Sequence, residues 1–155
     1  MLKNTYEGQA CEIARSLELI GERWTLLIVR DIFRGLRRFD EIQESLGIAR
    51  NVLANRLDRL VEEDILEKRR YRERPPRYEY FLTEKGIDLW PVLVSLIKWG
   101  DKHEPVCFDG LPPVTIRHKD CGGEIDDHFT CEECGERVWA RQAYVERRVP
   151  LRAAA

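Results

Sequence analysis

The sequence predicts a mainly α-helical chain with small β hairpins: a helix-turn-helix unit with an appended hairpin, then a short cysteine-rich β segment. Three observations carry this. Apolar residues recur at helical spacing over residues 11–32, 39–61 and 87–97. Two short segments, 65–71 and 77–82, flank a turn containing Pro75 and Pro76 and read as a two-stranded hairpin. Three of the five cysteines fall between residues 121 and 134, beyond a Pro- and Gly-containing linker.

At 155 residues the chain has room for one domain with a small appendage, and an apolar fraction of 43% suffices for a packed core. Net charge is −2, which does not describe a uniformly basic protein. From Arg23 to Arg77, however, fourteen Lys/Arg face ten Asp/Glu, a local excess of +4 that leaves −6 for the rest. The N-terminus lacks the unbroken apolar run of a signal peptide. The longest apolar-rich stretches, 25–29 and 89–97, fall far short of the ~20 residues that cross a bilayer. These features predict a cytoplasmic protein without membrane association, whose cysteines are free thiols or metal ligands rather than disulfides.

The elements follow in chain order. Residues 1–10 are polar and read as an arm. A first helix starts near Cys11 with Ile13, Ala14, Leu17 and Ile20 on one face, and Gly21 breaks it. A second turns Trp24, Leu27, Ile28 and Ile32 inward and stops at Gly35. Arg30, Arg34, Arg37 and Arg38 cluster around its end, either as solvated cations favoured by the helix dipole or as phosphate contacts. A third helix from Phe39 ends at Gly47, which accepts the left-handed geometry a helix terminus often needs.

In the fourth helix Leu53, Leu57, Leu60 and Val61 define the buried face. At about 100° per residue, Asn51 and Asn55 lie nearly opposite that face with Arg59 beside them. Arg50 occupies the first turn, and Arg56 flanks the apolar side. Outward amides and guanidiniums suit a DNA major groove, where they bond base edges bidentately. The hairpin tip, 72–77, places Arg74 and Arg77 beside neighbouring phosphates or the minor groove. Thr83 is a candidate N-cap for a further helix. Its stripe of Ile87, Trp90, Leu93, Val94 and Ile97, with Trp99 just after, reads as core or as a dimer seam. Pro91 kinks that helix or starts a new one, and Gly100 ends it. Short strands are expected at 114–117 and 137–140, and residues 150–155 are expected to fray.

Several motifs in this order resemble one family. They are Cys11-Glu12-Ile13-Ala14-Arg15, then Gly21-Glu22-Arg23-Trp24-Thr25-Leu26-Leu27, then Arg38-Phe39-Asp40-Glu41-Ile42. They continue with Leu53-Ala54-Asn55-Arg56-Leu57-Asp58-Arg59-Leu60 and Tyr78-Glu79-Tyr80-Phe81-Leu82-Thr83-Glu84-Lys85-Gly86. Over about two-thirds of its length the chain resembles the HxlR-type winged helix-turn-helix regulators of bacteria and archaea. The resemblance implies a homodimer that binds double-stranded DNA and regulates transcription, in some members sensing oxidants or electrophiles through the early cysteine, here Cys11. Two positions depart from the pattern. Ala49 stands where a capping Ser is common, and Glu12 stands where Pro often follows the cysteine. At the mouth of a helix the dipole favours a reactive thiol at Cys11, whereas Glu12 opposes it. The alternative is a small buried residue at the dimer interface.

In the tail, His118-Lys119-Asp120-Cys121-Gly122 and Cys131-Glu132-Glu133-Cys134-Gly135 are matching knuckles. Each sets two ligand-type residues, separated by two others, before a Gly. Three thiolates and one imidazole, His118, Cys121, Cys131 and Cys134, make a closed, structural zinc site, and the pattern is zinc-ribbon-like. Reduced cysteines or a Cys131–Cys134 redox pair are the alternatives, with His128 and Cys107 as substitute ligands.

The expected arrangement is a DNA-binding and dimerisation domain over 1–104 and a linker with the cysteine-rich tail over 105–155. The expected function is a sequence-specific regulator acting as a homodimer on an inverted repeat. Asn51, Asn55 and Arg59 would read bases, with Arg50 near the groove mouth; Arg37, Arg38, Arg56, Arg74 and Arg77 would hold the backbone. A second reading is a winged-helix/zinc-ribbon interaction module of the transcription machinery. A thiol enzyme using Cys131 and Cys134 is disfavoured, since neither a thioredoxin-like pattern nor another catalytic constellation accompanies them.

Overall fold

The computed structural model describes residues 6, 8–106 and 110–147. They form two compact units, Met1–Thr83 and Glu84–Ala155. The first unit contains α1 (Glu12–Ile20), α2 (Thr25–Phe33), α3 (Phe39–Leu46), α4 (Arg50–Glu62), β1 (Leu66–Arg72) and β2 (Arg77–Leu82). The second contains α5 (Glu84–Ile87), α6 (Trp90–His103), β3 (Val114–His118), a one-turn 3-10 helix (Ala140–Gln142) and β4 (Ala143–Arg147). No helix of the described residues is long and apolar enough to cross a membrane.

The first unit is organised around α2, which is buried on more than one side. Ile28, Val29 and Ile32 are fully buried, together with Ile42 of α3 and Leu53, Leu57 and Leu60 of α4. Trp24 and Leu27, expected inward, are only half-buried, and Val29 fills the core instead. Gly47 takes φ 63° at the end of α3, and its N–H bonds the Gln43 carbonyl at 2.8 Å. That left-handed step turns the chain directly into α4. α4 ends with Asp64 at φ 56°, where the Ile65 N–H returns to the Leu60 carbonyl at 2.9 Å.

Strands β1 and β2 pair antiparallel, with Lys68 opposite Tyr80 and Arg70 opposite Tyr78. The Tyr80 N–H bonds the Arg37 carbonyl at 2.8 Å, and Arg38 bridges to Glu79. The hairpin is therefore tethered to the segment that opens α3, giving a winged helix-turn-helix. Glu41 secures the same junction: its Oε2 accepts the N–H groups of Arg37 and Arg38, both at 3.0 Å. Those bonds, from Arg38 first and Arg37 second, hold its carboxyl below the usual range.

Arg34 was expected on a solvated or phosphate-facing surface but lies largely inside, its side chain only 7% exposed. The reason is Asp31, which is completely buried one helical turn before it. Arg30 reaches the Asp31 carboxylate at 2.9 Å and Arg34 approaches it at 3.8 Å. Removing one partner of a buried ion pair strands the other charge. Asp31→Ala is therefore expected to lower unfolding free energy by ~3–5 kcal/mol. Urea titration checks this, and a drop below about 1 kcal/mol would show that the pair behaves as a surface one.

In the second unit Pro91 lies in the first turn of α6, so it starts a new helix rather than kinking one. Gly100 does not end that helix, which runs to His103. The Trp99 ring packs at a tilt against His103, with centroids 5.1 Å apart, and spans the glycine. Strand β3 forms as expected, but 137–140 is not a strand. Its partner is β4, with Ile116 opposite Val145. Residue 137 makes only an isolated bridge to Thr130, and the chain then turns through the 3-10 helix. Trp90 of α6 packs on Phe129 at 5.8 Å, and Lys98 pairs with Glu124 at 3.0 Å. The last helices and the cysteine-rich segment thus share one core, which includes Val94, Ile116, Ile125 and Val138. Residues 1–5 and 7 of the expected arm, the substitute ligand Cys107 and the expected frayed end 150–155 lie outside the described residues.

Candidate nucleic-acid interface and metal centre

The outer face of α4 carries Asn51 and Asn55, both exposed, and neither side chain makes a hydrogen bond among the described residues. This follows from packing: Leu53, Leu57 and Leu60 are buried at 1% exposure or less, which turns the intervening positions outward. Ala49 at the N-cap supplies no side-chain bond to the first turn. Arg59 on the same helix pairs with Glu63 at 2.7 Å.

The arginines differ in availability. Arg37 is half-buried; it donates to the Ile32 carbonyl at 2.6 Å and lies over the Phe81 ring. Burial lowers its pKa, partly offset by Glu79. Arg56 pairs with Glu22 at 2.8 Å. Both brace the fold. Arg38, Arg50 and Arg77 instead line one cleft of about 350 Å³ between the start of α3, the start of α4 and the hairpin. Arg38 pairs with Glu79 at 3.1 Å and lies over Tyr71, and that hydrogen bond to Glu79 raises its pKa. Arg50 lies over Phe39, 4.6 Å from the centroid. Asp40 approaches Arg50 at 3.5 Å and Arg77 at 3.7 Å, linking α4 to the hairpin. Arg74 is exposed at the hairpin turn. No local sequence pattern reports Asp40, because Arg50 comes to it through the turn between α3 and α4 and Arg77 through the hairpin.

Cys11 occupies the N-cap of α1 with extended backbone, φ −145°, and is half-buried. Ile13 beside it is 71% exposed and Leu17 is 39% exposed, so much of the apolar face of α1 is left uncovered. On α6, Leu96 and Trp99 are exposed by 50% and 59%.

In the second unit the donor atoms of His118, Cys121, Cys131 and Cys134 all lie within 4.8 Å of one another. Nδ1 of His118 is 3.4 Å from the Cys121 sulfur and 3.3 Å from that of Cys134, and the Cys121 and Cys131 sulfurs are 3.3 Å apart. Zn–S bonds near 2.3 Å imply sulfur separations of roughly 3.8 Å across a tetrahedron, so the cluster has the dimensions of such a site. The two knuckles are built alike. Gly122 N–H bonds the His118 carbonyl at 2.9 Å, Gly135 N–H bonds the Cys131 carbonyl at 2.8 Å, and both glycines take φ 74°. Backbone N–H groups of Cys134 and then Glu133, with the other sulfurs, bring the Cys131 thiol down to about 6. Cys121 receives the Gly123 N–H, which lowers it, yet Cys131 and burial push it up to about 11. The surroundings thus favour the anionic form at Cys131 and the neutral thiol at Cys121. Gly123 is a further residue of this site: a Cβ there would stand 2.5 Å from the Cys131 sulfur. His128 is absent from the cluster, and its ring lies beside Asp127 at 3.6 Å.

The profile of the HxlR-like helix-turn-helix family matches residues 19–106. An uncharacterized HTH-type transcriptional regulator of Mycobacterium tuberculosis is 43% identical over 145 residues, spanning 94% of this chain and 89% of its own. Among solved structures, the candidate transcription factor PA1607 superposes with a TM-score of 0.68 at 36% identity, covering 91% of this chain and 97% of its own. The redox regulator HypR in its oxidized form superposes at 0.57 with 29% identity, over 62% of this chain and 100% of its own.

Proposed function

This chain belongs to the HxlR-like helix-turn-helix family, a family of transcriptional regulators rather than enzymes, and from that premise we propose that it binds an inverted-repeat operator as a homodimer. Residues 1–104 would pair the protomers and read DNA, and 105–155 would carry the metal. One observation carries the reading most: the paired amides of Asn51 and Asn55 face outward without internal partners. Each protomer lays α4 in a major groove, with half-sites about one helical turn apart. Asn51 and Asn55 contact base edges, with Arg59 following. Arg50 lies at the groove mouth, and Arg38, Arg74 and Arg77 hold the backbone. Arg37 and Arg56 act chiefly by bracing these elements. Pairing is supported by the uncovered apolar side chains of α1 and of α6, Ile13 and Trp99 foremost.

Most of these arginines already have a carboxylate partner, so phosphates must displace Asp40 or Glu79. Two or three phosphate contacts per protomer predict a slope of log K against log salt of roughly −4 to −5. Fluorescence anisotropy with upstream intergenic DNA measures it. Affinity no better than for random DNA would reject sequence-specific binding and favour a protein-interaction role.

Structural zinc held by His118, Cys121, Cys131 and Cys134 is the second part of the reading. Four protein ligands leave no position for water, so the ion would hold the knuckles together and do no chemistry. The third is redox or electrophile response through Cys11, supported by its place at a helix N-terminus and by the redox regulator among the related structures. Mass spectrometry after mild quinone or peroxide treatment is expected to find Cys11 modified first; a thiol left intact removes that part.

A further inference from the structure

The zinc reading leaves one atom unexplained. His118 is completely buried and turns Nδ1 toward the sulfurs. Its other nitrogen, Nε2, is also buried and has no hydrogen-bond partner among the described residues. Two carboxylate oxygens stand just beyond bonding distance from it, Asp120 Oδ2 at 3.6 Å and Glu136 Oε2 at 3.9 Å. Both side chains are largely exposed, at 79% and 65%, so a small rotation of either closes the gap.

We propose that Asp120 and Glu136 are positioning residues of the metal site, accepting the Nε2–H of His118 so that its Nδ1 lone pair stays on the ion. This rests on the zinc reading above. A neutral imidazole has one N–H and one lone pair. Nδ1 ligates only in the tautomer that puts the proton on Nε2, and a buried N–H without an acceptor is unfavourable. A carboxylate there selects the ligating tautomer, fixes the ring and raises its basicity. The sequence supplies one such group per knuckle: Asp120 lies between His118 and Cys121, and Glu136 follows Cys134 and Gly135. Either can act alone, which is why the pair must be removed together.

The test uses the full chain, with zinc affinity measured against a competing chelator and the His118 ring followed by nitrogen-15 NMR. Asp120→Ala with Glu136→Ala is expected to weaken zinc binding about 10- to 100-fold. The slowly exchanging Nε2–H signal of the wild type should also be lost. Asp120→Asn with Glu136→Gln keeps an acceptor oxygen and should recover part of both. A double alanine variant within twofold of wild type that retains the Nε2–H signal overturns the proposal while leaving the metal site standing. A wild-type chain that binds no zinc overturns both.

Discussion

Asn55→Ala is expected to reduce affinity for the operator at least tenfold while leaving affinity for random DNA within about twofold. A good bidentate amide–base contact discriminates by ~1–3 kcal/mol, and a homodimer makes it at both half-sites. The variant should not suffer in the fold, because Asn55 is exposed without a bonded side chain and Ala is the better helix former. The salt slope should also stay unchanged, since the amide releases no counterions. Asn51→Ala should act alike if its amide also reaches a base, and more weakly if it touches only the backbone. Arg77→Ala provides the contrast: it should weaken binding to every sequence and flatten the slope. Anisotropy titrations on operator and scrambled DNA separate these. Equal loss on both DNAs in Asn55→Ala would assign the residue to backbone contact and remove the main support for sequence reading by this face.

Local pattern revealed much of this fold because its elements are punctuated chemically. Gly47 ends α3, the leucine spacing orients α4, and the proline-containing turn divides β1 from β2. What stayed hidden depends on distant partners. Arg34 looks like a surface cation until Asp31 is seen to be buried beneath it. Residues 137–140 have strand-like composition, yet the position opposite β3 goes to 143–147, whose register is fixed by pairing rather than propensity. The four residues of the cysteine cluster could be named from spacing alone, since a ligand pair with two residues between leaves little freedom. The groups around them could not. Glu136 approaches His118 only because the two knuckles face one another, and Gly123 matters only because Cys131 folds back against it. The outward donors of α4 were legible, whereas the carboxylates that occupy the neighbouring arginines were not.

Zinc removal should reach further than the knuckles. Cys131 is the buried sulfur of the cluster, and Cys131→Ser is expected to abolish stoichiometric zinc, about one equivalent per chain being bound otherwise. For small metal modules the apparent ion-binding free energy, ~10–16 kcal/mol, is also folding free energy. The segment 114–147 buries few apolar side chains of its own, chiefly Ile116, Ile125 and Val138. It closes its core against α6 through Trp90 and Phe129. Losing the metal should therefore loosen α6 as well as the knuckles, and a chelator should change tryptophan fluorescence through Trp90 and Trp139. If the exposed Leu96 and Trp99 of α6 serve the proposed pairing, the metal-free chain should dimerise more weakly and bind operator less well. Sedimentation and anisotropy before and after chelation, with zinc restored as the control, test the chain of consequences in order. Metal content below a tenth of an equivalent in untagged protein ends it at the first step. A zinc-loaded protein whose dimer is indifferent to chelation ends it at the last, confining the metal to local support of its own turns.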